Sequence, residues 1–108
     1  MLDLGQLRVT SDEREIVLAS RDQQIARIAW SDIARVIVRT TDEGPFLPDV
    51  YWEIYRDEDQ PALMFPQGVA GDGELIGELQ RRLPGFANDR LIQALTRTSN
   101  DVFVVWPH

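Results

Sequence analysis

The hydrophobic pattern changes period about two thirds of the way along the chain, and that change limits the fold more than any other feature. Up to residue 66 apolar residues alternate with polar ones, the period of half-buried strands. From residue 72 to residue 95 they recur every three or four positions, the period of helices lying on a surface. The clearest alternation is Val50-Tyr51-Trp52-Glu53-Ile54-Tyr55, with Val50, Trp52 and Ile54 on one face and Tyr51, Glu53 and Tyr55 on the other. A run of strands followed by helices, without regular exchange between them, predicts an α+β fold with a mostly antiparallel sheet.

Turn residues divide the first part into hairpins. Residues 6–10 and 14–20 flank Ser11-Asp12-Glu13, and Arg21-Asp22 separates the second strand from a third over 23–30, whose Ala26, Ile28 and Trp30 share the core face. Ser31-Asp32 is a corner, and residues 34–41 form a fourth strand in which Val36 and Val38 alternate with Arg35, Ile37 and Arg39. Thr41-Asp42-Glu43-Gly44-Pro45-Phe46-Leu47-Pro48-Asp49 carries two prolines and a glycine, so it is a loop, with Phe46 and Leu47 as its apolar residues. The fifth strand ends in a charged turn at 56–60, and a sixth at 62–65 ends at Pro66.

In the helical part, Leu75, Ile76, Leu79 and Leu83 form one stripe, with Asp72 as N-cap and Pro84-Gly85 as the stop. Asn88 or Asp89 caps a second, short helix whose stripe is Leu91, Ile92 and Leu95. Residues 102–106 are β-prone and apolar on both faces, which predicts a last strand inserted beside buried neighbours. The sum is a roll or half-open barrel of about six or seven mostly antiparallel strands, with two C-terminal helices covering one face and a final strand. Residues 1–108 form one domain, large enough to bury roughly two thirds of the surface an unfolded chain exposes.

Composition removes whole classes of chemistry. Every basic residue is arginine, so a Schiff-base amine and the phosphate-binding lysine of a P-loop are both excluded. There is no cysteine, which removes disulfides and thiolate chemistry and fits a reducing compartment. The one histidine is the final residue, His108, where no base for a serine or cysteine nucleophile can be built around it. No catalytic, cofactor-binding or metal-binding residue is therefore assigned.

The net charge of −7 disfavours nucleic acid and favours a basic protein partner. Gly71-Asp72-Gly73-Glu74-Leu75-Ile76-Gly77 has the wrong spacing for a dinucleotide turn, and puts two acids where phosphate would sit. The acids at 42, 43 and 49 and at 57–59 lack the alternating spacing of a calcium loop. No apolar run approaches the roughly 20 residues of a membrane span, and residues 1–10 lack the features of a secretory signal, so a cytoplasmic location with no membrane partner is expected.

What remains is an interaction surface. Tyr51 and Tyr55 lie opposite Trp52, and a hairpin of the fourth and fifth strands would bring Arg35 and Arg39 beside them. Tyrosine and arginine are enriched in protein interfaces. Either this face is open, or the helices cover it and the tyrosines form a second core layer. Phe46 and Leu47 either staple their loop to the core or present an apolar tip.

Ile28-Ala29-Trp30-Ser31-Asp32-Ile33 followed by Arg35-Val36-Ile37-Val38 resembles the hairpin-and-corner pattern of bacterial pleckstrin-homology-like domains. Such domains usually finish on one helix, whereas two helices and a strand are expected here, and the acidic balance does not suit phosphoinositide binding. Thr40 to Phe46, Pro66-Gln67-Gly68 and Leu83-Pro84-Gly85-Phe86 together resemble a family of small uncharacterised bacterial proteins, over roughly residues 25–106. That resemblance implies no activity. Three functions stay open: a non-enzymatic intracellular protein-binding module, self-associating through a strand edge or the tyrosine face; an acidic immunity-type inhibitor of a basic toxin; and a small ligand-binding protein or enzyme with a pocket behind residues 44–49, where Asp42, Glu43 and Arg39 would converge.

Overall fold

The computed structural model describes residues 6–42, 49–96 and 99–107. Seven strands and two α-helices lie within them. β1 (Leu7–Ser11), β2 (Glu15–Ser20) and β3 (Gln23–Ala29) form a three-stranded antiparallel sheet in chain order. β4 (Arg35–Thr40), β5 (Val50–Tyr55), β6 (Leu63–Pro66) and β7 (Asp101–Trp106) form a second antiparallel sheet in the order β6-β5-β4-β7. The sheets face each other without closing into a barrel. α1 (Asp72–Arg82) packs along β1, and α2 (Asn88–Leu95) along β7 and β4.

Local chemistry explains the turns. Asp12 Oδ1 accepts the backbone N–H groups of Arg14 (2.7 Å) and Glu15 (2.9 Å), closing the β1–β2 connection, and these donors hold its carboxyl below the usual carboxylate range. The two-residue β2–β3 turn needs positive φ at both positions, and the chain supplies it at Arg21 (53°) and Asp22 (67°) without a glycine. Ile25 is an extra residue between the Leu18↔Ala26 and Ala19↔Gln24 pairs, so it bulges to the exterior and alternation resumes with Ala26 and Ile28 inward.

One core lies between the layers. Val9, Ile16, Leu18 and Ile28 reach it from the first sheet, Val36, Val38, Trp52, Ile54, Phe65 and Val105 from the second, and Leu75, Leu79, Leu91 and Ala94 from the helices. Pro66 sits opposite Tyr51, whereas the flanking Gln67 N–H donates to Val50 O (2.9 Å). The proline thus occupies a ladder position that requires no N–H.

Four sequence expectations are corrected. Asp72 is not a cap: the N-cap of α1 is Gly71, in the left-handed region at φ 88°, and Asp72 Oδ2 instead accepts the Gly68 N–H (2.7 Å). Glycine is required at 71 because a Cβ there would run into the Val9 carbonyl oxygen of β1. This close approach is sealed by Val9 N–H donating to Ala70 O (2.9 Å).

The second helix starts after Ala87, with no side-chain cap from Asn88 or Asp89; Asn88 Oδ1 accepts from Gln80 Nε2 (2.9 Å). In α2, Leu91 and Ala94 are buried while Ile92 is 63% exposed and Leu95 is also open, because the short helix touches the core along a narrow stripe. Finally β7 lies beside one buried strand, β4, and not beside several. Among the described residues it is an edge strand, paired on one side with β4.

Candidate interaction face

Strands β4 and β5 pair in a register that puts Arg35 opposite Tyr55, Ile37 opposite Glu53 and Arg39 opposite Tyr51. All six point away from the core, since their neighbours Val36, Val38, Trp52 and Ile54 point into it. The helices do not cover this side: their buried residues join the core on the opposite face of the sheet. On this face Tyr55 is nevertheless buried, 6% exposed, and Tyr51 is half-buried. The face is bordered by Met64 of β6, 50% exposed, and Val102 of β7, 45% exposed.

At its centre Glu53 is only 4% exposed, and among the described residues the bonds it accepts come from its own strand pair. Arg39 Nε donates to Oε2 (2.6 Å) and Arg39 Nη2 to Oε1 (3.2 Å), while Tyr55 Oη donates to Oε1 (2.6 Å). Burial pushes the Glu53 carboxyl up, but the hydrogen bonds from Arg39 and Tyr55 and the nearby guanidinium charges outweigh it, so the group ionises below the usual range. Burial, then the bond to Glu53, pushes the Tyr55 phenol up, and the Glu53 bond raises the Arg39 guanidinium.

Arg35 lies flat on the Tyr55 ring, Cζ 4.3 Å from the ring centre, and its buried Nε has no hydrogen-bond partner. The aromatic face substitutes for one. The four side chains form a brace that is charge-matched at Arg39–Glu53 and carries one surplus positive charge at Arg35.

Of the residues singled out from sequence, Arg35, Arg39, Tyr51 and Tyr55 are thus brought together on one open face, and Phe46 and Leu47 lie outside the described residues. Tyr51 is half-buried, and Tyr55 is buried, with Arg35 over its ring and its hydroxyl on Glu53. Glu53 is the residue sequence reasoning passed over. Its signal was its position: a carboxylate between two tyrosines on a strand whose partner carries arginines opposite both of them.

A shallow, open depression of about 410 Å³ lies beside the same face, lined by Arg39, Thr40, Thr41, Asn100, Asp101 and Val102. Asp42 does not line it, and Glu43 lies outside the described residues. Among the described residues no three histidine, cysteine, aspartate or glutamate side chains converge on a metal-sized site, and no helix is long and apolar enough to cross a membrane. Compared with family models, curated proteins and solved structures, the chain matches none, so the functional argument rests on this geometry.

Proposed function

We propose that the chain is a non-enzymatic protein-binding module that receives its partner on the outer face of the β6-β5-β4-β7 sheet. The observation that carries this reading is a sheet face with no helix over it, whose polar centre is already internally paired and whose rim exposes Met64 and Val102. Pre-paired charges need no rearrangement when a partner arrives, so less ordering cost opposes binding. The local surplus of positive charge at Arg35, within a chain of net charge −7, selects a partner segment that sets a carboxylate beside apolar side chains. The cysteine-free composition suits action in the reducing cytoplasm.

The test is affinity capture from cells of origin with wild type and a Tyr51→Ala, Met64→Asp variant, both checked by circular dichroism. These positions are chosen because Tyr55 supports Glu53, and replacing it would confuse folding with binding. A defined partner held by wild type and lost by the folded variant supports the face. A partner held equally by both rules it out.

A further inference from the structure

The β2–β3 turn holds an arginine where its backbone favours almost any smaller polar residue. Both turn positions have positive φ, 53° at Arg21 and 67° at Asp22, and among the described residues these are the non-glycine residues that do. Asparagine, aspartate and glycine enter this left-handed region readily, whereas a long side chain is uncommon there and costs free energy. Strain of this kind gathers where a side chain is needed in a fixed place. Arg21 is fixed: its backbone N–H donates to Gln6 O (3.3 Å) and its Nε to Gln6 Oε1. Both of its Nη atoms are left without a protein partner.

Those atoms border a hollow on the outer side of the first sheet. Arg8 of β1 lies opposite Ala19 of β2, and both alternate with the buried Leu7, Val9 and Leu18. The small Ala19 leaves a space of about 250 Å³ between Arg8 and Arg21, which Asp22 and Ala70 help to line. The segment carrying Ala70 is pinned beside it, since Val9 N–H donates to Ala70 O and Asp72 Oδ2 accepts the Gly68 N–H.

Two guanidinium groups against the single carboxylate of Asp22 give the hollow one surplus positive charge, in a chain of net charge −7. Neither Arg8 nor Arg21 forms an ion pair, whereas Arg27, Arg39, Arg81 and Arg82 all do. A second depression, at Arg14, Arg27 and Arg56, is different. Glu15 and Asp32 line it too, Arg27 Nε lies 3.8 Å from Glu15, and Arg56 donates to the Arg27 carbonyl. Its cations are already engaged or balanced.

We propose that the hollow at Arg8 and Arg21 binds a small organic monocarboxylate, with the carboxylate between the two guanidinium groups and the carbon skeleton over Ala19 and Ala70. A planar guanidinium fork matches a carboxylate through two parallel hydrogen bonds, and one negative charge cancels the local surplus. A phosphate dianion would leave excess negative charge beside Asp22. The volume falls below the roughly 300–1,000 Å³ of pockets that enclose drug-sized molecules, so the acid is small.

The experiment is an NMR titration of the full chain with benzoate, using phenyl phosphate as the dianionic arm and benzamide as the neutral one. Wild type, Arg21→Asn, Arg8→Gln and Ala19→Leu are compared. Arg21→Asn removes the guanidinium and puts in its place a residue that suits the turn, so a purely structural arginine and a ligand-holding one part company there. The expected result is that millimolar benzoate moves the amides of Arg8, Arg21, Asp22 and Ala70, less so at high salt. Each variant should weaken this binding at least about tenfold, while Arg21→Asn melts no lower than wild type. If Arg21→Asn does melt lower, Arg8→Gln, outside the turn, decides. Overturning results are no shift with benzoate, equal binding of benzamide, tighter binding of phenyl phosphate, or benzoate binding undiminished in Arg8→Gln. The hollow belongs to the three-stranded sheet, so either result leaves the partner-binding face of the other sheet to its own test.

Discussion

The two faces of the β6-β5-β4-β7 sheet share one backbone and differ in what holds their side chains. The inner face is apolar and fully covered: Val36, Val38, Trp52 and Ile54 are all buried against the opposite sheet and the helices. Its stability comes from removing area from water and filling space. The outer face buries Ile37, Glu53 and Tyr55 with no helix packed over them among the described residues. A buried ion pair adds little net stability, because desolvation offsets the attraction. The outer brace therefore contributes position more than energy, holding Tyr51 and the arginines in place while the inner face supplies the stability.

That contrast can be broken by experiment, starting where the effect is largest. Trp52→Ala should cost about 3–5 kcal/mol in urea unfolding, since it empties a large core volume and strands Gln67, whose Oε1 accepts the indole N–H at 3.2 Å. An outer-face residue as buried as Glu53 should cost far less. Glu53→Gln is expected to lose about 1–2 kcal/mol, because Arg39, 44% exposed at its side chain, can turn to water once its partner is neutral. A loss as large as that of Trp52→Ala would mean that the brace, too, holds the fold.

The same variant has a pH signature. Glu53 ionises below its ordinary value in the folded state, so its contribution is present above the unfolded value of about 4.3 and is lost as pH falls through the lower folded value. Thermal melts should show wild type more stable than Glu53→Gln near neutrality, with the gap closing in acid. A gap independent of pH would mean that the carboxylate's charge is not what the arginine and tyrosine hold. Smallest of all, Met64→Ala should change stability by no more than about 0.5 kcal/mol while weakening partner capture. A large loss of stability there would show that the rim is covered and the face is not open.

The period change was enough to place the strands, the two helices and the β4–β5 pairing, because each of those depends on neighbouring residues. The pairing alone brought Arg35 and Arg39 beside Tyr55 and Tyr51. What sequence did not show depends on distant chain. β7 looks like an interior strand because Val102 to Trp106 is apolar on both faces. Its edge position follows from β4 having only one remaining side, a fact of topology. Gly71 reads as a flexible turn, and its necessity comes from the Val9 carbonyl some sixty residues earlier. The bonds Glu53 accepts from Arg39 and Tyr55 likewise depend on the strand pairing, and no local pattern announces a buried carboxylate held by side chains.

The three tryptophans anchor three separate places. Trp52 lies in the core, Trp30 donates to Asp12 O (2.8 Å) with Arg82 stacked 5.1 Å from its ring centre, and Trp106 donates to Pro84 O. Intrinsic fluorescence of this protein is consequently a sum of one emitter shielded from solvent and two at its margin. An external quencher should remove the red part of the spectrum first, leaving the blue remainder as an optical record of the core alone.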